Sequence, residues 1–158
     1  MVDKVTDWPI LERRQSRSAA TIGAMSESRT ILATNEAPRA IGPYSQGVRA
    51  GSLLFTSGQI ALDPKTQQVV DGGIAEQTER VFANLRAILE AGGSSFAQVV
   101  KATVFLKNFD DFAAMNAVYA EHLAAGGSQP PARTTVEVSR LPKDVLIEIE
   151  LVAVVAAD

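Results

Sequence analysis

The stretch from Pro131 to Val154, PARTTVEVSRLPKDVLIEIELVAV, decides how the rest of the chain is read. Its second half alternates strictly, so that in an extended chain Ile147, Ile149 and Leu151 point one way while Glu148, Glu150, Val152 and Val154 point the other. In Ala132 to Val138 the same alternation groups Arg133, Thr135 and Glu137 on one side. The isoleucine face suits packing against helices. The second face mixes carboxylates with valines, which makes it poor as a dry core and too apolar to stand wholly in water. Burial against another copy of the chain accounts for the valines, and a polar cleft at that seam accounts for the charges. The plainer alternative is an exposed sheet face carrying an Arg133–Glu148 cross-strand ion pair.

Working upstream, two segments carry helical spacing. Ile74, Val81, Phe82, Leu85, Ile88 and Leu89 recur on one helix face that ends at Gly92-Gly93, where a left-handed cap is open to glycine. Phe112, Met115, Tyr119 and Leu123 share a second helix, opened by Asp110 or Asp111 and stopped by Gly126-Gly127. Between them QVVKATVFLKN reads as a strand with Val100, Ala102, Val104 and Leu106 on one side. RTILAT, GVRA and LLFTSGQIAL are strand-like, the last two joined by a turn at Gly51-Ser52. APRAIGPYSQG is a rigid loop broken by Pro38, Gly42 and Pro43. The expected class is α+β, a mixed sheet with two helices packed on one face.

A chain of 158 residues fits one domain. Residues 1–27 are polar, small and without periodicity and are expected to be a disordered leader, leaving 28–158 as a single domain. No apolar run follows the leader's arginines, and Asp3, Asp7 and Glu12 do not fit an acid-poor transit peptide, so a cytoplasmic protein is expected. Net charge is −3 with Lys and Arg scattered, which lacks the basic stripe of a nucleic-acid binder. The absence of cysteine excludes disulfides and thiolate chemistry, and the single histidine, His122, excludes a histidine-rich metal site and is expected to be a solvated helix residue. No run approaches the roughly 18 apolar residues of a membrane span. Trp8 lies in the leader and receives no role.

Four stretches, IGPYSQGV, TSGQI, VVKATVFLKNFDDFAAMNAVYAEH and the opening one, together resemble the RidA family, also called YjgF-type, from about Thr30 to Val155. The resemblance implies hydrolysis of reactive 2-imino acids, a chorismate-mutase-like α+β fold, and a homotrimer whose sheets form a barrel-like core with ligand clefts between subunits. It also implies roles. Arg133 corresponds to the carboxylate-binding arginine and Glu148 to the glutamate that positions or activates water. Tyr44, Ser57 and Asn116 match further cleft positions, and Thr135 stands where many relatives of the imine-hydrolysing type carry cysteine.

The chemistry suits those residue types. A planar guanidinium grips a carboxylate with two parallel hydrogen bonds and so fixes the neighbouring C=N carbon. Water then adds with Glu148 handling its proton, which requires no metal and no organic cofactor. The expected ligands are 2-iminopropanoate and 2-iminobutanoate, derived from the enamine 2-aminoacrylate and its homologue, and the 2-oxo acids they yield. A non-catalytic sensor of small carboxylates would use Arg133 and the same cleft, a holdase chaperone would use exposed apolar surface, and an endoribonuclease would need a basic balance that this chain lacks.

Overall fold

A computed structural model describes residues 29–125 and 129–155, so the expected leader with Trp8 and the expected helix stop at Gly126-Gly127 lie outside the described residues. The elements are β1 (Arg29–Leu32), β2 (Gly47–Ala50), β3 (Leu53–Thr56), β4 (Gln59–Ile60), α1 (Ile74–Ala91), β5 (Val99–Leu106), α2 (Phe112–Leu123), β6 (Ala132–Glu137) and β7 (Ile147–Val154). They form one mixed sheet in the order β1-β2-β3-β7-β5-β6, with β4 also paired to β7. Only β5 and β6 run parallel, and α2 lies in the connection between them, as a parallel crossover requires. The α+β expectation with both helices against one sheet face holds.

Alternation on β7 is as the sequence implies. Ile147, Ile149 and Leu151 are buried beneath the helices, together with Ala102, Val104 and Leu106 of β5. From α1 come Val81, Phe82, Leu85 and Leu89, and from α2 Met115, Tyr119 and Leu123. Phe82 meets the Tyr119 ring edge-on at 5.8 Å, locking the two helices together.

Several expectations need correction. LLFTSGQIAL is not one strand. Phe55 pairs with Val152 and Gln59 with Ile149, so four steps on one side face three on the other, and the extra residue breaks the run at Ser57-Gly58. Val100 does not join Ala102, because a bulge between Val99 and Lys101 puts Val99 inward and leaves Val100 exposed. Asp111 does stand at the N-cap of α2 but its side chain makes no capping bond; Asn108 Oδ1 accepts from the Asp110 amide at 3.0 Å and starts a single 3-10 turn, Phe109–Asp111, that feeds the helix. The left-handed cap expected at Gly92-Gly93 does hold, with Gly93 as the left-handed residue (φ 75°). His122 is not simply solvated: its ring stacks on Phe82 at 4.5 Å, and Nε2 lies 2.8 Å from a Glu79 carboxylate oxygen.

Polar side chains on the buried side of α1 reach past the core to hold the connections. Asn84 Nδ2 donates to the carbonyls of Ile60 (3.2 Å) and Leu62 (2.9 Å), and Gln77 Oε1 accepts from the Leu146 amide at 2.9 Å just before β7. These bonds tie backbone groups of the connections to the helix layer. The opposite face of the sheet has no such cover among the described residues. Ile31, Leu53, Phe55, Val136 and Val154 are exposed there.

The helix layer makes a direct prediction. Leu85 is completely buried, so Leu85→Ala should cost about 2–5 kcal/mol, read as a lowered midpoint in urea denaturation.

Candidate functional site

Glu148 comes forward from β7 on the open face, half-buried beside Gly58. The break at Ser57-Gly58 makes this possible, since a Cβ on Gly58 would overlap the Glu148 carboxyl. The carboxyl lines a cleft of about 510 Å³ with Tyr44, Ser57, Ile60, Pro142 and Glu150. Burial, and secondarily the like charge of Glu150, push Glu148 above its ordinary value of 4.5. The folded chain therefore holds this proton more tightly than the unfolded chain does. Stability linked to it is fully present below the ordinary value and declines as pH rises through the folded one.

Tyr44 and Ser57 are positioned by the loop that precedes β2. Gln46, buried at its base, accepts from the Thr34 amide (2.6 Å) and donates to the carbonyls of Thr34 and Pro38 (3.0 and 2.8 Å), which fixes the loop's path. Tyr44 OH accepts a long bond from the Ile41 amide (3.3 Å), so its own proton is free for the cleft. Ser57 Oγ instead donates to the Ser45 carbonyl, and its lone pairs remain available to accept. One donor, one acceptor and the carboxyls of Glu148 and Glu150 thus line the same space.

Arg133 is elsewhere. On β6 it stands opposite Ala102, a residue buried under the helices, whereas Glu148 stands opposite Phe105 on the other face of β5. The grouping of Arg133, Thr135 and Glu137 on one strand face is observed, but that face is the helix side. A cross-strand Arg133–Glu148 ion pair within one chain is excluded. Arg133 Nη1 donates to Asn116 Oδ1 at 2.8 Å, and the guanidinium lies 4.4 Å from the Tyr119 ring centre and 5.5 Å from that of Phe112. Stacking and a single amide bond hold the fork while leaving its other N–H groups unengaged among the described residues. Two residues on, Thr135 Oγ1 is buried without a hydrogen-bond partner among the described residues, as is Tyr119 OH. Burial raises the Tyr119 phenol, opposed by the charge of Arg133.

The site residues therefore fall into two groups on opposite sides of the sheet: Tyr44, Ser57 and Glu148 in one, Asn116, Arg133 and Thr135 in the other. Sequence reasoning missed Tyr119, Gln46 and Gly58. Tyr119 lies three residues after Asn116 and so shares its helix face, a signal that was legible but was assigned to the core. Gly58 carried no signal of its own beyond sitting inside an otherwise strand-like run.

With this geometry in place, comparison with known proteins is informative. Residues 34–155 match the family model described as Endoribonuclease L-PSP. A RutC family protein of Pyrococcus horikoshii is 56% identical over 123 residues, covering 78% of this chain and 95% of that one. The 2-iminobutanoate/2-iminopropanoate deaminase of Salmonella typhimurium is 50% identical over 127 residues, covering 80% of this chain and 98% of its own length. The solved structure of the YjgF gene product of Escherichia coli superposes with a TM-score of 0.75 at 48% identity, covering 79% of this chain and 98% of that chain. Matched over most of its length, the chain belongs to the RidA, or YjgF-type, family.

Proposed function

We propose that the protein hydrolyses small 2-imino acids to 2-oxo acids and ammonia, in clefts completed by two copies of the chain. The observation that carries this reading is the division of the site. A carboxylate anchor, Arg133, and a carboxyl of raised proton affinity, Glu148, occupy opposite faces of one sheet. Neither half has the full set of groups. Arg133 from one copy, laid against the open face of another, would bring the anchor to Glu148, Tyr44 and Ser57. The identity of about 50% to deaminases acting on 2-iminobutanoate and 2-iminopropanoate favours the same substrate class.

In this reading the substrate carboxylate binds the Arg133 fork, which Asn116 and Tyr119 hold in plane. Glu148 accepts a proton from water as its oxygen bonds to the imine carbon, and the electron pair of the C=N bond moves to nitrogen. That nitrogen is protonated in turn. Collapse of the resulting carbinolamine breaks the C–N bond, forms the C=O bond and releases ammonia, with one water consumed. Tyr44 donates to, and Ser57 accepts from, the groups being rearranged. An RNA substrate is disfavoured, since Glu148 and Glu150 line the cleft and repel phosphates.

The split also bears on assembly. In this reading the contact joins two different surfaces head-to-tail, an arrangement that gives a ring where its rotation closes. We take that ring to be a trimer whose open sheet faces form a common core.

Four variants test this reading. Glu148→Gln should lower imine turnover by about 10²- to 10⁴-fold while 2-oxo acid binding persists in calorimetry. The parent's acid limb in kcat should lie above the ordinary glutamate range, because the ionised base is lost as pH falls through a raised value. Arg133→Lys should weaken 2-oxo acid binding and lower kcat/KM with the assembly intact. Normal turnover by both variants would remove these residues from the chemistry.

Gly58→Ala separates geometry from stability. The group its Cβ meets is the flexible end of Glu148, so melting should hold near the parent's temperature while turnover falls. A melt that collapses instead would mean the backbone, not the carboxyl, gives way. Phe55→Glu on the open face should dissociate the assembly by light scattering while helical circular dichroism persists. An unchanged oligomer would rule out that face as the seam.

A further inference from the structure

The loop between β1 and β2 places a cation beside the cleft that the proposed chemistry does not use. Arg39 lines a hollow of about 460 Å³ with Tyr44, Ser45 and Gln46. It also lines a smaller one of about 30 Å³ with Ile41, Tyr44, Gly58 and Ile60, and those four residues are walls of the Glu148 cleft as well. The space around Arg39 therefore adjoins the cleft through shared side chains.

The backbone at Arg39 is fixed on both sides. Its amide donates to Gln67 Oε1 at 3.2 Å, and the preceding carbonyl, of Pro38, accepts from the buried Gln46 at 2.8 Å. The guanidinium itself has no hydrogen bond or ion pair among the described residues. Arg29, exposed at the outer end of β1, is likewise without a partner among the described residues but lines none of these hollows, whereas Arg49 is engaged by a carbonyl, Arg80 and Arg140 by carboxylates, Arg86 by His122 and Arg133 by Asn116. A charge held at a fixed point of the chain, unpaired, next to a cleft that contains two carboxylates is suited to an anion that the cleft alone would repel.

We infer that Arg39 is a specificity residue that receives the distal carboxylate of dicarboxylic 2-imino acids, of which 2-iminoglutarate is the simplest useful probe. This inference rests on the imine-hydrolase reading of the same cleft. Arg133 takes the carboxylate next to the reacting carbon, Glu148 serves the water, and Arg39 offsets the repulsion that Glu148 and Glu150 exert on a second negative group. The reaction is unchanged; what Arg39 alters is which side chains are accepted.

The matched pair 2-iminoglutarate and 2-iminopentanoate, generated by an amino-acid oxidase, tests this, because the two differ only in a terminal carboxylate against a methyl group. Arg39→Ala should reduce kcat/KM for 2-iminoglutarate about tenfold relative to that for 2-iminopentanoate, and Arg39→Glu should reduce the ratio further. Raising the ionic strength should narrow the parent's own ratio. An unchanged ratio in both variants, or an equal loss on both substrates, overturns the inference and leaves the hydrolase reading standing. If the parent hydrolyses neither imine, the hydrolase reading falls, and calorimetry with 2-oxoglutarate and 2-oxopentanoate still decides on Arg39. Selective loss of 2-oxoglutarate affinity in Arg39→Ala supports its role; parallel or absent loss ends it.

Discussion

A strand hydrogen-bonded along both edges cannot choose which of its side chains are buried, and β7 is such a strand, held by β3 and β4 on one side and β5 on the other. Ile147, Ile149 and Leu151 must face α1 and α2, so Glu148 and Glu150 are committed to the open face. A slip of one residue would exchange the two sets and drive both carboxylates into the core, at a cost of several kcal/mol each. The position of the Glu148 carboxyl is thus set by its apolar neighbours in sequence. The break in the adjacent strand then completes the setting. One extra residue between Phe55 and Gln59 turns the chain at Ser57-Gly58, clears room for the carboxyl and aims Ser57 into the same space. Partial burial, and after it the like charge of Glu150, is what raises the proton affinity of Glu148.

The second half of the site depends on a different device. β6 is an edge strand, added parallel to β5 after the α2 crossover, and its inward residues meet the flank of α2. Arg133 consequently rests on aromatic rings that also belong to the helix packing. A lysine there would keep the charge but lose the flat stacking against Tyr119 and the directional bond to Asn116. Core packing and the placement of Arg133 share the same residues, so the guanidinium needs no dedicated scaffold.

Much of this was legible in the sequence because it followed from period. The helix faces of α1 and α2, the burial of Ile147, Ile149 and Leu151, and the placement of Glu148 on the opposite face all follow from spacing. What period cannot supply is which side of the sheet an independent strand turns. Arg133, Thr135 and Glu137 do share a face, but whether it is the face of Glu148 depends on the register of β6 against β5, a long-range pairing with no local signature. The bulges were invisible for a related reason, since one added residue at Val100 or at Ser57-Gly58 leaves the composition strand-like while shifting everything after it. Buried polar residues such as Gln46, Asn84 and Gln77 carry no local signal of burial, because their partners are carbonyls and amides distant in sequence.

The described chain has features of a surface awaiting a partner on both sides of its sheet. On the open side Ile31, Phe55 and Val154 are exposed in one sheet where apolar contact with water is unfavourable. On the helix side the hydroxyls of Thr135 and Tyr119 are buried without partners, and each such group costs about 1–3 kcal/mol if it stays unpaired. These two deficits differ in kind, one calling for apolar cover and the other for hydrogen-bonding groups. Under the proposed assembly the open face gains cover from neighbouring copies, while a bound ligand or the neighbour's backbone supplies bonds beside Arg133. Assembly and substrate binding would then be coupled through β6, because the strand that docks on the next copy is the strand that carries the anchor.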